Sequence, residues 1–196
     1  MHISEGVLSA PVLATGAVLT VVGLYLGFKN IKNEDFPKLA VLSSTFFVAS
    51  LIHIPIGPSS AHLILNGLTG ILLGWSAFPA IFLGLLLQAL LFQFGGLTTL
   101  GVNTFNMAMP AVISFYLFRS FLKKKNLAFL GGFLSGAVSV LLGAIFVSIA
   151  LYTTQKSFLK VAEILIAVHI PIALIEGFIT GIVVIYLKKL KPEVLP

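Results

Sequence analysis

A chain of 196 residues with 58% hydrophobic and only 9% charged side chains has too little charge to cover a water-facing surface, and its mean hydropathy of +1.11 points to lipid instead. The net charge of +6 sits in short lysine patches between apolar stretches, with no basic stripe, so a nucleic-acid partner is excluded and loops beside a membrane are the better reading. The absence of cysteine excludes disulfides, Cys-ligated zinc and iron–sulfur clusters, and no GxxxxGK[ST] loop occurs, so the chain cannot hydrolyse ATP by that route.

About 20 apolar residues cross a bilayer as a helix. The chain begins with Met1-His2-Ile3-Ser4-Glu5-Gly6-Val7, a segment without the positive start of a signal peptide; the bulk of His2 predicts that Met1 stays. Apolar stretches then predict spans at 8–28, 37–53, 60–75, 77–94, 103–122, 127–152 and 160–187. Polar residues up to Pro37, the Pro55-Ile56-Gly57-Pro58 turn, Gly74 to Pro79, and Gly95-Gly96 separate them. The expected fold is all-α, one polytopic membrane bundle over residues 1–196 with about seven transmembrane helices. Lys29, Lys32 and Lys38, then Arg119 and Lys123 to Lys125, then Lys188, Lys189 and Lys191 all fall on one side of such a bundle. That side is read as cytoplasmic, with the N-terminus outside and Lys156 and Lys160 as exceptions.

This layout puts His2, His53, His62 and His169 toward the outer side. A free Met1 amine, the His2 amide nitrogen and the His2 Nδ1 can close a five- and a six-membered chelate ring on one metal. An imidazole from elsewhere completes a plane of nitrogens, the geometry that suits Ni²⁺ and Cu²⁺; His62 is the choice for it. The seven residues before the first span reach about 20 Å when extended, enough to fold back into the bundle mouth. Taken alone, a histidine at position 2 is most often just part of a frayed terminus; the other histidines on the same side favour the metal.

Polar residues inside spans face the bundle interior. His62, Asn66 and Thr69 recur at i, i+4 and i+7, which predicts one helix face. Ser60 sits just before His62. Asn103 and Asn106 open the fifth span, and His169 and Glu176 share a face of the last. Asn66, Thr69 and Gln88 read as polar glue between helices; Asn103 and Asn106 divide evenly between glue and a cavity lining. Glu176, the acid deepest in a span, needs a partner, for which His169 is the nearest candidate. The spaced pairs Gly23/Gly27, Gly70/Gly74, Gly132/Gly136 and Gly177/Gly181 mark close helix packing, internal or with a partner.

Four stretches resemble a known family. Met1-His2-Ile3-Ser4-Glu5-Gly6 is similar to the N-terminal MHIxEG motif of the CbiM/NikM proteins, the substrate-capture (S) components of energy-coupling-factor (ECF) transporters for cobalt and nickel. Gly95 to Met107 resembles that family's GGLTxLGxNxxxM stretch, Ile54 to His62 its Pro/Gly turn leading to a histidine, and His169-Ile170-Pro171 with Glu176-Gly177 a fourth stretch. The resemblance implies a metal held by Met1, His2 and His62; the polar residues that could line the cavity around it are Ser60, His53, Asn103, Asn106, His169 and Glu176. It implies Ni²⁺ or Co²⁺ as transported substrate, no organic cofactor, and a prokaryotic plasma membrane. The implied partners are a membrane coupling (T) subunit, cytoplasmic ATPase subunits and a small accessory membrane protein. The turn here, Ile56-Gly57-Pro58-Ser59-Ser60, departs from the VPGGTS-like form of many relatives, which leaves the choice of metal open. Two rivals stand beside this transporter subunit. One is a stand-alone cation- or proton-coupled carrier or channel using His169 and Glu176, against which no internal repeat is found. The other is an intramembrane hydrolase using Ser59 or Ser60 with His62, for which no GxSxG elbow or HExxH motif exists.

Overall fold

A computed structural model describes residues 1–29, 31–51 and 53–196, with the side chains of 53, 54 and 125 outside the description. Seven α-helices are found among these residues: α1 Ala10–Lys29, α2 Phe36–Ala49, α3 Asn66–Leu73, α4 Ala77–Phe92, α5 Leu100–Lys123, α6 Ala128–Thr154 and α7 Leu159–Leu190. Large apolar side chains stand on the outside along whole helices, for example Val18, Val21, Val22 and Tyr25 on α1 and Phe178, Ile182, Ile185 and Tyr186 on α7. Such surfaces suit lipid, and five segments are long and apolar enough to cross a membrane. The chain is a polytopic helical membrane protein.

The expected span 60–75 is not a helix of that length. Residues Ser59–His62 form a short strand, β2, paired antiparallel with β1, His53–Ile56, so that the backbones of His53 and His62 are opposite one another. Gly57, at φ +53°, makes the turn between them. Helix α3 follows with 8 residues, about 12 Å of the 30 Å a bilayer core requires. The bundle is therefore all-α except for this hairpin. His62 lies on a strand and Asn66 begins a helix, so the i, i+4, i+7 face expected for His62, Asn66 and Thr69 does not exist. Between Ile64 and Asn66 the backbone turns sharply through Leu65, a non-glycine residue at φ 54°.

Helix α3 starts in the middle of the bundle. Its Asn66 Nδ2 donates to the carbonyls of Met107 and Ser139, at 3.2 and 3.3 Å. One turn further Gly70 lies on the Ala111 backbone, and Gly74 meets the Phe115 ring. Thus α3 runs alongside α5 toward the lysine-rich end. There Gly74, at φ +56°, reverses the chain, Ser76 Oγ donates to Gly27 O (3.3 Å), and α4 returns past Gly23, Phe46 and Ser43. The glue reading holds for Asn66, whose Oδ1 also accepts from Ser139 Oγ at 2.9 Å. The spaced glycines serve packing inside the bundle: Gly132 and Gly181 lie against each other across α6 and α7, and Gly136 lies against the Glu176 carbonyl.

Residues 1–3 enter this bundle and are buried to 5% exposure or less. Asn103, on the first turn of α5, holds the segment as a strand partner would. Its Oδ1 accepts from Ile3 N (2.9 Å) and its Nδ2 donates to Ile3 O (3.1 Å). Ser4 N donates to Pro58 O (3.1 Å) and Glu5 N to Gly95 O (3.0 Å). The Met1 side chain fills the space left by Gly143 on α6. Every polar backbone group of the inserted segment has to find such a partner, because no water reaches it.

Candidate metal centre

The Met1 amine lies 2.6 Å from His62 Nε2. Two nitrogens on adjacent corners of a square around a metal are about 2.8 Å apart for bonds of about 2.0 Å, so the pair already has the spacing of neighbouring ligands. His62 Nδ1–H donates to the Leu63 carbonyl at 2.7 Å, which leaves Nε2 as the nitrogen with the lone pair. His62 is fixed from behind by its own loop. Glu176 on α7 accepts the backbone N–H groups of Ile64 and of Leu65, the latter at 2.8 to 2.9 Å.

The His2 ring stacks on the His62 ring, with centroids 4.6 Å apart and planes 26° from parallel. Its Nε2–H donates to Gln88 Oε1 at 2.6 Å. The Gln88 amide is turned that way because its Nε2 donates to Phe47 O (3.4 Å) and to Ser50 Oγ. With Nε2 protonated, His2 Nδ1 carries the lone pair, and Nδ1 is the nitrogen that closes a six-membered ring with the His2 amide. Both rings thus hold the tautomer that ligation needs, each set by an outward N–H bond.

Among the described residues no cluster of three His, Cys, Asp or Glu side chains could hold a metal ion. A site here has to recruit main-chain nitrogen, and the buried amine beside two histidines is where such nitrogen is concentrated. Burial holds the Met1 amine well below the usual 8.0 of an α-amine, partly offset by the Glu176 charge. Burial, then the nearby amine, then His2, hold His62 well below 6.5. Burial thus disfavours the charged form of both groups, and the amine and His62 Nε2 share one hydrogen bond.

Other sequence candidates are placed differently. Ser60 lines, with His2, Ser4, Ser59, Gln93 and Gly95, a polar pocket of about 140 Å³ that reaches His2. Asn103 acts on the backbone of Ile3. Asn106 lines a separate, largely apolar cavity of about 600 Å³ between α1, α5 and α6, which none of the nitrogen-bearing residues Met1, His2 and His62 lines. The side chain of His53 lies outside the described residues. The expected pairing of His169 with Glu176 is not found: seven residues along a helix are about 10 Å apart in rise, and Glu176 bonds the His62 loop while His169 Nδ1 donates to Leu165 O (2.7 Å).

Gln88 does act as the expected interhelical glue, tying α4 to Phe47 and Ser50; what sequence reasoning missed is its bond to His2, because only the inserted terminus gives it a histidine to orient. Replacing it with leucine is expected to keep the fold and to weaken Ni²⁺ binding by about 10- to 100-fold, the usual cost of losing such an orienting partner. Titration of the purified variant with Ni²⁺ beside wild type checks this.

Residues 2–194 match the family model of the cobalt uptake substrate-specific transmembrane region, CbiM. A Haemophilus influenzae protein described as a metal transport protein is 43% identical over 100% of this chain and 97% of its own length. The cobalt transport protein CbiM of Kyrpidia tusciae is 34% identical over 100% of this chain and 86% of its own. A fused nickel transport protein NikMN of Archaeoglobus fulgidus is 31% identical over 100% of this chain and 68% of its own. A solved transition metal transporter superposes with a TM-score of 0.85 at 30% identity, covering 96% of this chain and 93% of the other. The chain belongs to the CbiM family, whose matched region is the substrate-specific transmembrane part of cobalt uptake.

Proposed function

We propose that the chain is the S component of an ECF importer, capturing Ni²⁺, with Co²⁺ close behind, from outside a prokaryotic cell. The metal is substrate, held by the Met1 amine, the His2 amide and Nδ1, and His62 Nε2. The 2.6 Å amine–imidazole contact between two locked histidine tautomers carries this reading. A planar nitrogen set favours Ni²⁺ over Co²⁺ and Zn²⁺ on geometry; Cu²⁺ would bind at least as well by affinity order, so supply excludes it. The N-terminus and the hairpin face outside, and the lysine-rich ends of α1, α5 and α7 face the cytoplasm, following the positive-inside rule. The metal enters through the polar pocket beside Ser59 and Ser60 and meets His2 first. Release inward then needs the N-terminal segment to let go, driven by a T subunit and ATPase subunits acting on the bundle, with a small accessory membrane protein aiding capture.

The test is reconstitution in vesicles. The lone chain is expected to bind one Ni²⁺ or Co²⁺ and to move none across the bilayer until coupling and ATPase subunits with ATP are added. Uptake by the lone chain without ATP would favour the stand-alone carrier. That rival needs His169 and Glu176 to share a proton, and each is bonded to backbone elsewhere.

The pH dependence follows from the donor set. Ligation releases the His2 amide proton at any pH, so affinity falls at least tenfold per unit as pH is lowered. The fall steepens only where the amine and His62 also protonate, which burial places below 8.0 and 6.5. The sign is the same for the plug itself: both are bases held neutral in the fold, so acid protonates the withdrawn terminus first and favours its withdrawal. Between pH 8 and 6 the apparent Kd for Ni²⁺ is expected to weaken by at least about 100-fold, read by titration at fixed ionic strength. A flat profile would remove the amide from the ligand set.

A further inference from the structure

We propose that His169 accepts a hydrogen bond from the Met1 amine once that amine has bound the metal, which makes it a positioning residue of the site. The proposal rests on the four-nitrogen reading above.

His169 is wholly buried on α7. Its Nδ1–H is committed to the Leu165 carbonyl one turn back, at 2.7 Å. Nε2 is therefore the lone-pair nitrogen, and it has no hydrogen-bond partner among the described residues. The other buried side-chain atoms in that condition are the hydroxyls of Ser59, Thr104, Ser114 and Thr180 and the amide nitrogen of Asn106. All of those carry a proton to donate; the His169 nitrogen can only accept. A buried acceptor without a donor is costly, and native proteins rarely leave one.

Its position matches a donor that appears only in the loaded state. Glu176, two turns along the same face of α7, bonds the backbone of Ile64 and Leu65. His169 stands about 10 Å from that level, toward the hairpin end, and lies within electrostatic reach of both the Met1 amine and His62. In the empty site the amine gives a hydrogen to His62 Nε2. A metal takes both of those lone pairs, and that contact ends. The bound amine is then an –NH₂ group with two N–H donors, in a place where Met1 is 0% exposed and no solvent can accept them. His169 Nε2 is an acceptor of the right polarity, buried on α7 without a donor and electrostatically coupled to that amine.

The experiment compares the full-length purified chain with His169→Leu and His169→Gln, using Ni²⁺ as the probe. Glutamine keeps an acceptor oxygen, and leucine has none. Both variants are expected to bind one Ni²⁺ with the wild-type number of nitrogen neighbours by X-ray absorption. The Leu variant should bind roughly 10- to 100-fold more weakly, and Gln should recover most of the loss. Three results overturn the proposal: both variants bind as wild type does; Gln is as weak as Leu; or each variant loses one nitrogen neighbour, which would make His169 a ligand. If the Leu variant fails to fold, His169→Met, of similar bulk and without a nitrogen acceptor, replaces it. Wild type that holds neither Ni²⁺ nor Co²⁺ overturns the four-nitrogen reading and this inference together. Wild-type binding with indifferent variants overturns this inference alone.

Discussion

A single alanine added before Met1 is expected to take His62 out of the metal site while leaving the bundle folded. On the proposed reading the Met1 amine is a ligand, and it stands at the head of a buried segment. The extension moves the amine one residue out, turns the old amine into a peptide nitrogen, and pushes a residue into a space already filled. Met1 is 0% exposed, and its side chain lies against Gly143. A peptide nitrogen holds its lone pair in the amide and binds a metal only after losing its N–H proton, whereas a neutral amine binds without losing one, so the chelate loses its first ready donor. Acetylating the amine makes the same chemical change with less bulk, and separates the loss of a donor from the loss of fit. Metal content by elemental analysis is the readout, with an intact mass to show which N-terminus is present. The expected result is one metal per chain in wild type and none in the acetylated form; metal held by the extended chain, whose Ala-Met-His start offers an amine, two amides and an imidazole by itself, is expected to stay when His62 is replaced by alanine. Retention of metal by the acetylated chain would take the amine out of the site.

How much of this was legible in the sequence divides by the kind of signal. The lysine clusters and the length of the apolar stretches located α1, α5, α6 and α7 to within a few residues, because lipid imposes composition over whole helices. The Met1-His2 pair was legible because chelation by a terminus is local chemistry, independent of fold. The hairpin was not. His53–Ile56 and Ser59–His62 are 4 residues each, and an apolar run that short has no period to separate strand from helix. The same ambiguity hid the half-length of α3, since Leu63, Ile64 and Leu65 read as span although their backbone is turning. The His169–Glu176 pair failed for a geometric reason: residues seven apart share a face but not a contact. The bonds of Gln88 and Asn103 to the terminus were unreadable because their partners there are backbone and side-chain groups of residues 2 and 3. Nothing in the spacing of α4 or α5 announces that a chain end will dock between them.

His62→Ala and Glu176→Leu are expected to empty the site by different routes, and the difference separates ligand from scaffold. His62→Ala removes the donor that closes the plane, and a three-nitrogen chelate from the terminus alone stays. It leaves an imidazole-sized space and strands one buried amine, a cost of about 1–3 kcal/mol, while Glu176 still holds Ile64 and Leu65 in place. The variant should melt within a few degrees of wild type, hold no Ni²⁺ after dialysis, and regain part of its binding when free imidazole supplies the missing nitrogen. Glu176→Leu leaves every ligand in place and removes the acceptor of two buried backbone N–H groups. An unsatisfied buried donor costs about 1–3 kcal/mol, and two of them sit beside Leu65, which already holds a left-handed turn at φ 54°. This variant should lose several degrees in melting temperature as well as the metal, and added imidazole should restore nothing, because the loop carrying His62 has moved. Glu176→Gln keeps one acceptor oxygen and should fall between. Rescue of Glu176→Leu by imidazole, or unchanged metal content in His62→Ala, would reverse the assignment of the two residues.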